Sequence, residues 1–315
     1  MKGAYAPMLA VLVDDFPSSG DWVYEKKFDG YRAIAVIQAG KVSLYSRNGI
    51  LLNNNYPSVP AALTKLPHDC VLDGEVIHID KAGRETFQGL QQYGQTRSGT
   101  IQYCVFDLLK LGRQDITHLP LLQRKELLAT LVKPLRSRVI KYVEHVEDGR
   151  KLFAQAESEG WEGVIGKRAN VTYLPGKRTD YFVKIKTSKR QEAIICGYTA
   201  PAGSRKHFGA LLLGVYIGKE LHYAGKTGTG FTDLDLKELF QKMQPLIGPM
   251  PFAEDVKKKY YRNVDVTWLK PALVCEIKFT EWTGDMRMRH PSFQGLRTDK
   301  KAKEVILELP KRIGV

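Results

Sequence analysis

Between residues 22 and 47 apolar and polar positions alternate: Trp22-Val23-Tyr24, then Ala33-Ile34-Ala35-Val36-Ile37, then Val42-Ser43-Leu44-Tyr45. A period of two is that of a strand with one buried face, and Ala39-Gly40 falls where such a chain turns. The stretch therefore predicts a strand meander. Residues 70–79 (Cys70-Val71-Leu72-Asp73-Gly74-Glu75-Val76-Ile77-His78-Ile79) are nearly all apolar and predict a buried strand, as do residues 101–109. Leucines at 121, 122, 127, 128 and 131 follow the helical period, which predicts a helix over 121–132. A further helix fits 148–159, with Gly160 as its C-terminal cap.

The pattern changes near Thr187. The run Lys184-Ile185-Lys186-Thr187-Ser188-Lys189-Arg190 is basic and polar, as a hinge would be. Short glycine-punctuated strands follow at 193–198, 210–216 and 221–224, then a helix over 234–243 and a last strand at 273–279. Several short strands with one interposed helix predict a small barrel of the OB-fold type. The expected division is residues 1–187 and 188–315, an α+β chain of two domains.

Composition narrows the class. The chain has 315 residues, enough for two full cores, and 43% are hydrophobic. No apolar run reaches membrane-span length, and the first residues lead into no signal-peptide core. Cys70, Cys104, Cys196 and Cys275 form no C-x-x-C pair and read as scattered thiols of a reducing compartment. The net charge of +14 favours a polyanionic partner. The excess is shared: residues 1–190 carry 28 basic and 20 acidic side chains, 28 − 20 = +8, which leaves +6 for residues 191–315. Lys257-Lys258-Lys259 reads as a solvated face, with a phosphate contact as the alternative.

The candidate chemistry centres on Glu25-Lys26-Lys27-Phe28-Asp29-Gly30-Tyr31-Arg32, which holds the pattern K-x-D-G-x-R. A free lysine has a pKa of about 10.4 and must lose its proton to attack phosphorus. Neighbouring cations and burial favour that loss, and Arg32, Lys167, Lys184 and Lys186 are the candidates. Asp29-Gly30 is also a common hairpin signal, so this motif alone leaves Lys27 open between a nucleophile and a turn lysine. Glu75, inside an apolar strand, and Glu162, in Glu162-Gly163-Val164-Ile165-Gly166-Lys167, supply two carboxylates of the kind Mg²⁺ takes beside phosphates. Lys184 and Lys186 alternate on a strand, so both face one side, where two cations suit a triphosphate.

In this order these residues resemble the covalent nucleotidyltransferase superfamily of DNA ligases, RNA ligases and capping enzymes. Residues 27–32 match its nucleophile motif, Ser46-Arg47-Asn48-Gly49 the arginine motif, and Asp73-Gly74-Glu75 the third. Tyr103-Cys104-Val105-Phe106-Asp107 match the aromatic motif, residues 162–167 the fourth and 183–186 the fifth. Further matches at Phe208-Gly209-Ala210, Gly225-Lys226-Thr227-Gly228, Arg289-His290-Pro291-Ser292-Phe293 and Gly295-Leu296-Arg297-Thr298-Asp299-Lys300 make the chain similar to the ligase module of bacterial end-joining ligases of the D type. The resemblance runs from Pro7 to Lys300. One departure follows Gly49, where Ile50-Leu51-Leu52-Asn53-Asn54-Asn55 replaces an acidic residue and a threonine common in that branch.

The resemblance implies a nucleotidyltransferase (adenylation) domain of antiparallel sheets and helices, followed by an OB-fold β-barrel. It implies an ATP-dependent DNA ligase that seals 5′-phosphate/3′-hydroxyl nicks through a lysyl-AMP on Lys27. Glu25 would help read adenine and Phe106 would stack on it. Arg32 and Arg47 would hold ribose and phosphate, and Lys184 and Lys186 the α-phosphate. Glu75 and Glu162 would place Mg²⁺ or Mn²⁺, with a ribose contact as the other role for Glu75. Arg297 and Lys300 would reach the leaving pyrophosphate when a hinge near residues 186–190 closes. The implied partners are duplex DNA with nicks or ends and a Ku-type end-binding protein. The expected setting is a monomer in the bacterial cytoplasm at the nucleoid, away from membranes, and either a stand-alone enzyme or a module of a longer one. The rival readings are an RNA ligase or GTP-using capping enzyme, and an inactive module that only binds duplex ends.

Overall fold

The computed structural model describes residues 5–310 apart from 202, 204 and 263. The chain divides into two units, one running to Thr187 and one spanning Ser188–Glu308; Leu309 and Pro310 group with the first. The first unit contains β1 (Leu9–Leu12), β2 (Trp22–Lys27), β3 (Tyr31–Gln38), β4 (Lys41–Ser46), α1 (Ser58–Leu63), β5 (Cys70–Ile79), α2 (Phe87–Thr96) and β6 (Thr100–Leu111). It continues with β7 (Gln114–Asp115), α3 (Leu121–Val132), β8 (Ile140–Tyr142), α4 (Gly149–Glu159), β9 (Gly163–Arg168) and β10 (Arg178–Lys186).

These strands form two sheets. One has the order β1-β10-β9-β2 and the other β4-β3-β5-β6-β7, with β8 added to β6. The alternation read from the sequence shows how they pack. On β3 the odd positions Ala33, Ala35 and Ile37 enter one core with Leu63 of α1, Leu90 of α2 and Leu128 of α3. The even position Ile34 enters another core with Val23 of β2 and Phe182 of β10. The second sheet is thus covered by helices on one face and by the first sheet on the other. Helix α4 covers the outer face of the first sheet, where Ala156 meets Tyr24, Val164 and Ile185. Its ends are set locally: the Asp148 side chain accepts the Lys151 amide, and Gly160 closes the helix at φ 69°.

The predicted meander is only half a meander. β3 and β4 form a hairpin through Ala39 and Gly40, both at positive φ. β2 does not pair with β3; it pairs with β9 in the other sheet. Asp29-Gly30, which reads as a hairpin turn, is instead where the chain passes from one sheet to the next. Gly30 permits this because its backbone presses on β5, and a Cβ there would lie 2.1 Å from the Val76 carbonyl oxygen. Gly30→Ala is therefore expected to destabilise the first unit by ~3 kcal/mol, an overpacking cost, seen as a lower midpoint in urea unfolding. The basic run around Thr187 is also mostly strand: Lys184 and Lys186 lie on β10, and a new strand starts at Lys189.

The second unit contains β11 (Lys189–Thr199), β12 (Leu211–Ile217), β13 (Glu220–Thr227), α5 (Asp233–Met243), α6 (Glu254–Tyr260), β14 (Val266–Trp268), β15 (Val274–Phe279) and β16 (Ser292–Leu296). Its sheet has the order β13-β12-β11-β15-β16, with β14 also on β11 and every pairing antiparallel. Thr232 and Asp235 form a capping box at the start of α5. Helix α6, which carries the exposed Lys257-Lys258-Lys259, is a second helix that the sequence pattern does not predict. Among the described residues no helix is long and apolar enough to cross a membrane.

Candidate active site

Glu25 and Lys27 are two apart on β2 and so share a face of the strand. That face, with Arg32 of β3, Glu75 of β5, Phe106 of β6 and Lys167 of β9, lines a cavity of about 100 Å³ between the two sheets. The sequence motifs that carry these residues are far apart in the chain and meet here.

Lys27 ends β2, and its ammonium pairs with Glu162 Oε2. Lys186 Nζ stands 3.5 Å from the other oxygen, Oε1. Gly163 makes this arrangement possible. It has φ 149°, and a Cβ would lie 2.0 Å from the Ile185 carbonyl oxygen, so only glycine lets the chain after Glu162 press so closely onto β10. Of the four cations expected to surround Lys27, Lys186 shares its carboxylate. Lys167 and Arg32 are drawn to other acids, and Lys184 faces Ile165 across the β9–β10 ladder.

Glu25 is buried between two lysines. Lys125 Nζ donates to its Oε1 at 2.5 Å and to the Val143 carbonyl at 3.0 Å, while Lys167 Nζ is 2.6 Å from Oε2. Burial pushes the Glu25 carboxyl up, but the two ammonium groups outweigh it and hold it below the usual carboxylate range. Burial pushes Lys167 down, and Glu25 only partly offsets that.

Arg32 forks onto Asp73 with two contacts of 2.6 Å. The Tyr173 hydroxyl donates to the same carboxylate at 2.6 Å and accepts the Met8 amide at 2.8 Å. Glu75 lies opposite Arg32 in the β3–β5 ladder. Phe106, expected to stack on a base, packs against two cations: the Arg32 guanidinium lies 4.5 Å and Lys167 Nζ 4.3 Å from its ring centre.

Six predicted residues are not part of this cavity's lining: Glu162, Lys184 and Lys186, whose places are given above, and Arg47, Arg297 and Lys300. Arg47 lines a larger one of about 490 Å³ with Tyr5, Ile34 and Tyr45. Arg297 and Lys300 belong to the second unit. There Arg297 forks onto Asp299 at 2.9 and 2.8 Å and lies 3.6 Å from Glu276, while Lys300 pairs with Glu192.

Sequence reasoning missed Lys125, Arg124 and Tyr173. Arg124, with no exposed surface, forks onto Asp107 at 2.8 and 2.9 Å and also donates to the Leu119 and Val171 carbonyls. A signal existed. The buried positions of α3 are 121, 124, 125, 128, 131 and 132, a helical stripe whose two central members are cations. Charges at the centre of an apolar stripe call for buried acids nearby.

Residues 7–186 match the ATP dependent DNA ligase domain family, and residues 204–300 match the ATP dependent DNA ligase C terminal region. Over 97% of its length the chain is 38% identical to the multifunctional non-homologous end joining protein LigD of Pseudomonas aeruginosa, of which it covers 37%. It is 30% identical to DNA ligase C of Mycobacterium tuberculosis, covering 94% of the chain and 90% of that protein. The chain thus spans about two fifths of the LigD relatives, 37–40% of their length, and nearly all of ligase C. A solved structure of mycobacterial DNA ligase D complexed with ATP and MES matches with a TM-score of 0.70 at 35% identity, covering 96% of this chain and 98% of that one. A family match over residues 7–186, the part of the chain that holds the cavity with Lys27, and a second over residues 204–300 place the chain in the family of ATP-dependent DNA ligases.

Proposed function

We propose that the chain seals nicked DNA with ATP, and that Lys27 carries AMP between the two. The observation that carries this reading is the meeting of Lys27, Arg32, Glu75, Phe106 and Lys167, from five strands of two sheets, on one cavity with Glu162 at the nucleophile. Lys27 attacks the α-phosphorus of ATP, and pyrophosphate leaves. The AMP then passes to the 5′-phosphate at the nick, where the 3′-hydroxyl displaces it and closes the strand.

On this reading the resting contacts must change first. Lys27 pairs with Glu162, so its amine is not yet a nucleophile. Glu162 has a second cation at hand in Lys186, which can hold the carboxylate when Lys27 turns to phosphorus. Glu25, kept ionised by Lys125 and Lys167, is an acceptor suited to the amino group of adenine. Arg32, fixed by Asp73 and Tyr173, offers a rigid cation to ribose or phosphate.

Among the described residues no three His, Cys, Asp or Glu side chains gather as a metal cage. A site of Glu75 and Glu162 completed by water and phosphate oxygens still fits the habits of Mg²⁺ or Mn²⁺. Bound there, the ion would neutralise charge on the transferring phosphate. The likeness to LigD supports a role in non-homologous end joining, and the short strands of the second unit support an OB-type barrel; the Ku-type end-binding partner rests on the sequence resemblance alone.

The test is sealing of a nicked duplex, with ATP against GTP and DNA against RNA. Sealing of nicked DNA with ATP alone is the expected result. A preference for GTP or nicked RNA would favour another branch of the superfamily, and nick binding without sealing an inactive module. Arg297 is assigned to the first step, so Arg297→Ala should slow self-adenylylation more than closure of a pre-adenylylated nick. Equal losses in the two assays would remove that assignment.

A further inference from the structure

One side chain holds the chain on both sides of the nucleophile. Glu85 follows β5 in a loop that bridges back to Ile79. Its Oε1 accepts the amide of Asp29 at 2.5 Å, and its Oε2 lies 2.8 Å from Lys26 Nζ. Lys26 and Asp29 are the residue before Lys27 and the second residue after it. Lys26 also stands 4.6 Å from the Trp161 ring centre and 5.3 Å from that of Phe28. Trp161 directly precedes Glu162, the partner of Lys27.

The location gives these contacts their meaning. Residues 28–30 lie outside both sheets' ladders, at the point where the chain crosses from β2 to β3. A crossing of that kind leaves the end of β2 without a strand partner to fix its direction on the far side. A carboxylate that accepts a backbone amide makes a charge-assisted hydrogen bond, stronger than a neutral one. The second oxygen ties the same side chain to Lys26, and Lys26 ties it to the ring next to Glu162. Nucleophile and partner carboxylate are thereby braced from one point. Glu85 is not among the residues lining the nucleotide cavity.

We infer that Glu85 is a positioning residue that sets the direction of Lys27 through Lys26 and the Asp29 amide. This rests on the reading of Lys27 as the AMP carrier. Misplacing a reacting group by about 1 Å can cost roughly 100-fold in rate, so loss of the brace should show as rate and not as nucleotide binding.

The experiment measures self-adenylylation of the whole chain with α-labelled ATP, recording the rate constant, the final labelled fraction and the KM for ATP. Glu85→Ala should slow labelling by roughly 10- to 100-fold, with KM within about twofold and the final fraction unchanged. Glu85→Gln keeps an acceptor for the Asp29 amide and loses only the pair with Lys26, so its rate should fall between the two. A Glu85→Ala protein that labels a smaller fraction at the wild-type rate constant overturns the proposal, because lost folding removes molecules without slowing those that remain. An unchanged rate, or Glu85→Gln as slow as Glu85→Ala, overturns it as well. If the wild type takes no label, the reading of Lys27 itself fails; if it labels and the variants match it, only the role of Glu85 fails.

Discussion

Lys27→Ala is expected to take no AMP from ATP, and Lys27→Arg is expected to take none either. The alanine variant removes the amine. The arginine variant keeps the charge and can keep the pair with Glu162, but a guanidinium stays protonated in proteins and has no lone pair to give. A pairing role for Lys27 would survive that exchange; a nucleophilic role would not. The loss should reach at least roughly 10⁴-fold, the scale seen when a catalytic nucleophile is removed. The fold should tolerate both changes. Glu162 keeps Lys186 at 3.5 Å, so its carboxylate is not left without a cation. Sealing of a nick that already carries AMP needs no new lysyl-AMP and should persist in both variants. That contrast, measured on plain and pre-adenylylated nicks, separates loss of the nucleophile from loss of the enzyme.

Arg124→Met is expected to cost the most stability. Arg124 and Asp107 are both fully buried and joined by two hydrogen bonds, and Arg124 also satisfies two backbone carbonyls. Removing one member of a buried ion pair leaves the other charged and unpaired, a loss of about 3–5 kcal/mol. Typical domains have only about 5–15 kcal/mol in total. The site should suffer as well, because α3 carries Lys125 beside Arg124, and Lys125 holds Glu25. Asp107→Leu combined with Arg124→Met removes both charges and should recover much of the stability lost by Arg124→Met alone. Urea unfolding of the three proteins checks this; a double variant no more stable than the single one would mean that packing, not the orphaned charge, sets the cost.

The chemistry of the site was more legible in the sequence than its geometry. Glu75 stands out because a carboxylate interrupts a strand of apolar residues, Lys27 and Arg32 because of the K-x-D-G-x-R pattern, and Phe106 through the family resemblance alone; all four line one cavity. Strand β5 and helix α3 were readable to the residue, since each is long and strongly patterned. The crossing at Gly30 was not. Its signal, Asp-Gly after a strand, is the same whether the chain turns back on itself or passes to a second sheet, and the choice depends on β9 and β5, far along the chain. Lys125 and Arg124 were hidden for a related reason. Helical spacing was read from leucines alone, while the stripe that counts includes two cations whose partners sit on other strands. β14 and β16 escaped because one has three residues and the other breaks its alternation at Gly295, where the register slips.

The most direct test of the account is to locate the nucleotide on the protein. After incubation with ATP and a divalent cation, the chain would be digested under mildly basic conditions that spare a phosphoramidate, and the AMP-bearing peptide sequenced by mass spectrometry. AMP on Lys27, with Lys26 unmodified beside it, is the predicted result. AMP on Lys26, Lys167 or Lys186, or a chain that seals nicks while carrying no AMP, would contradict it.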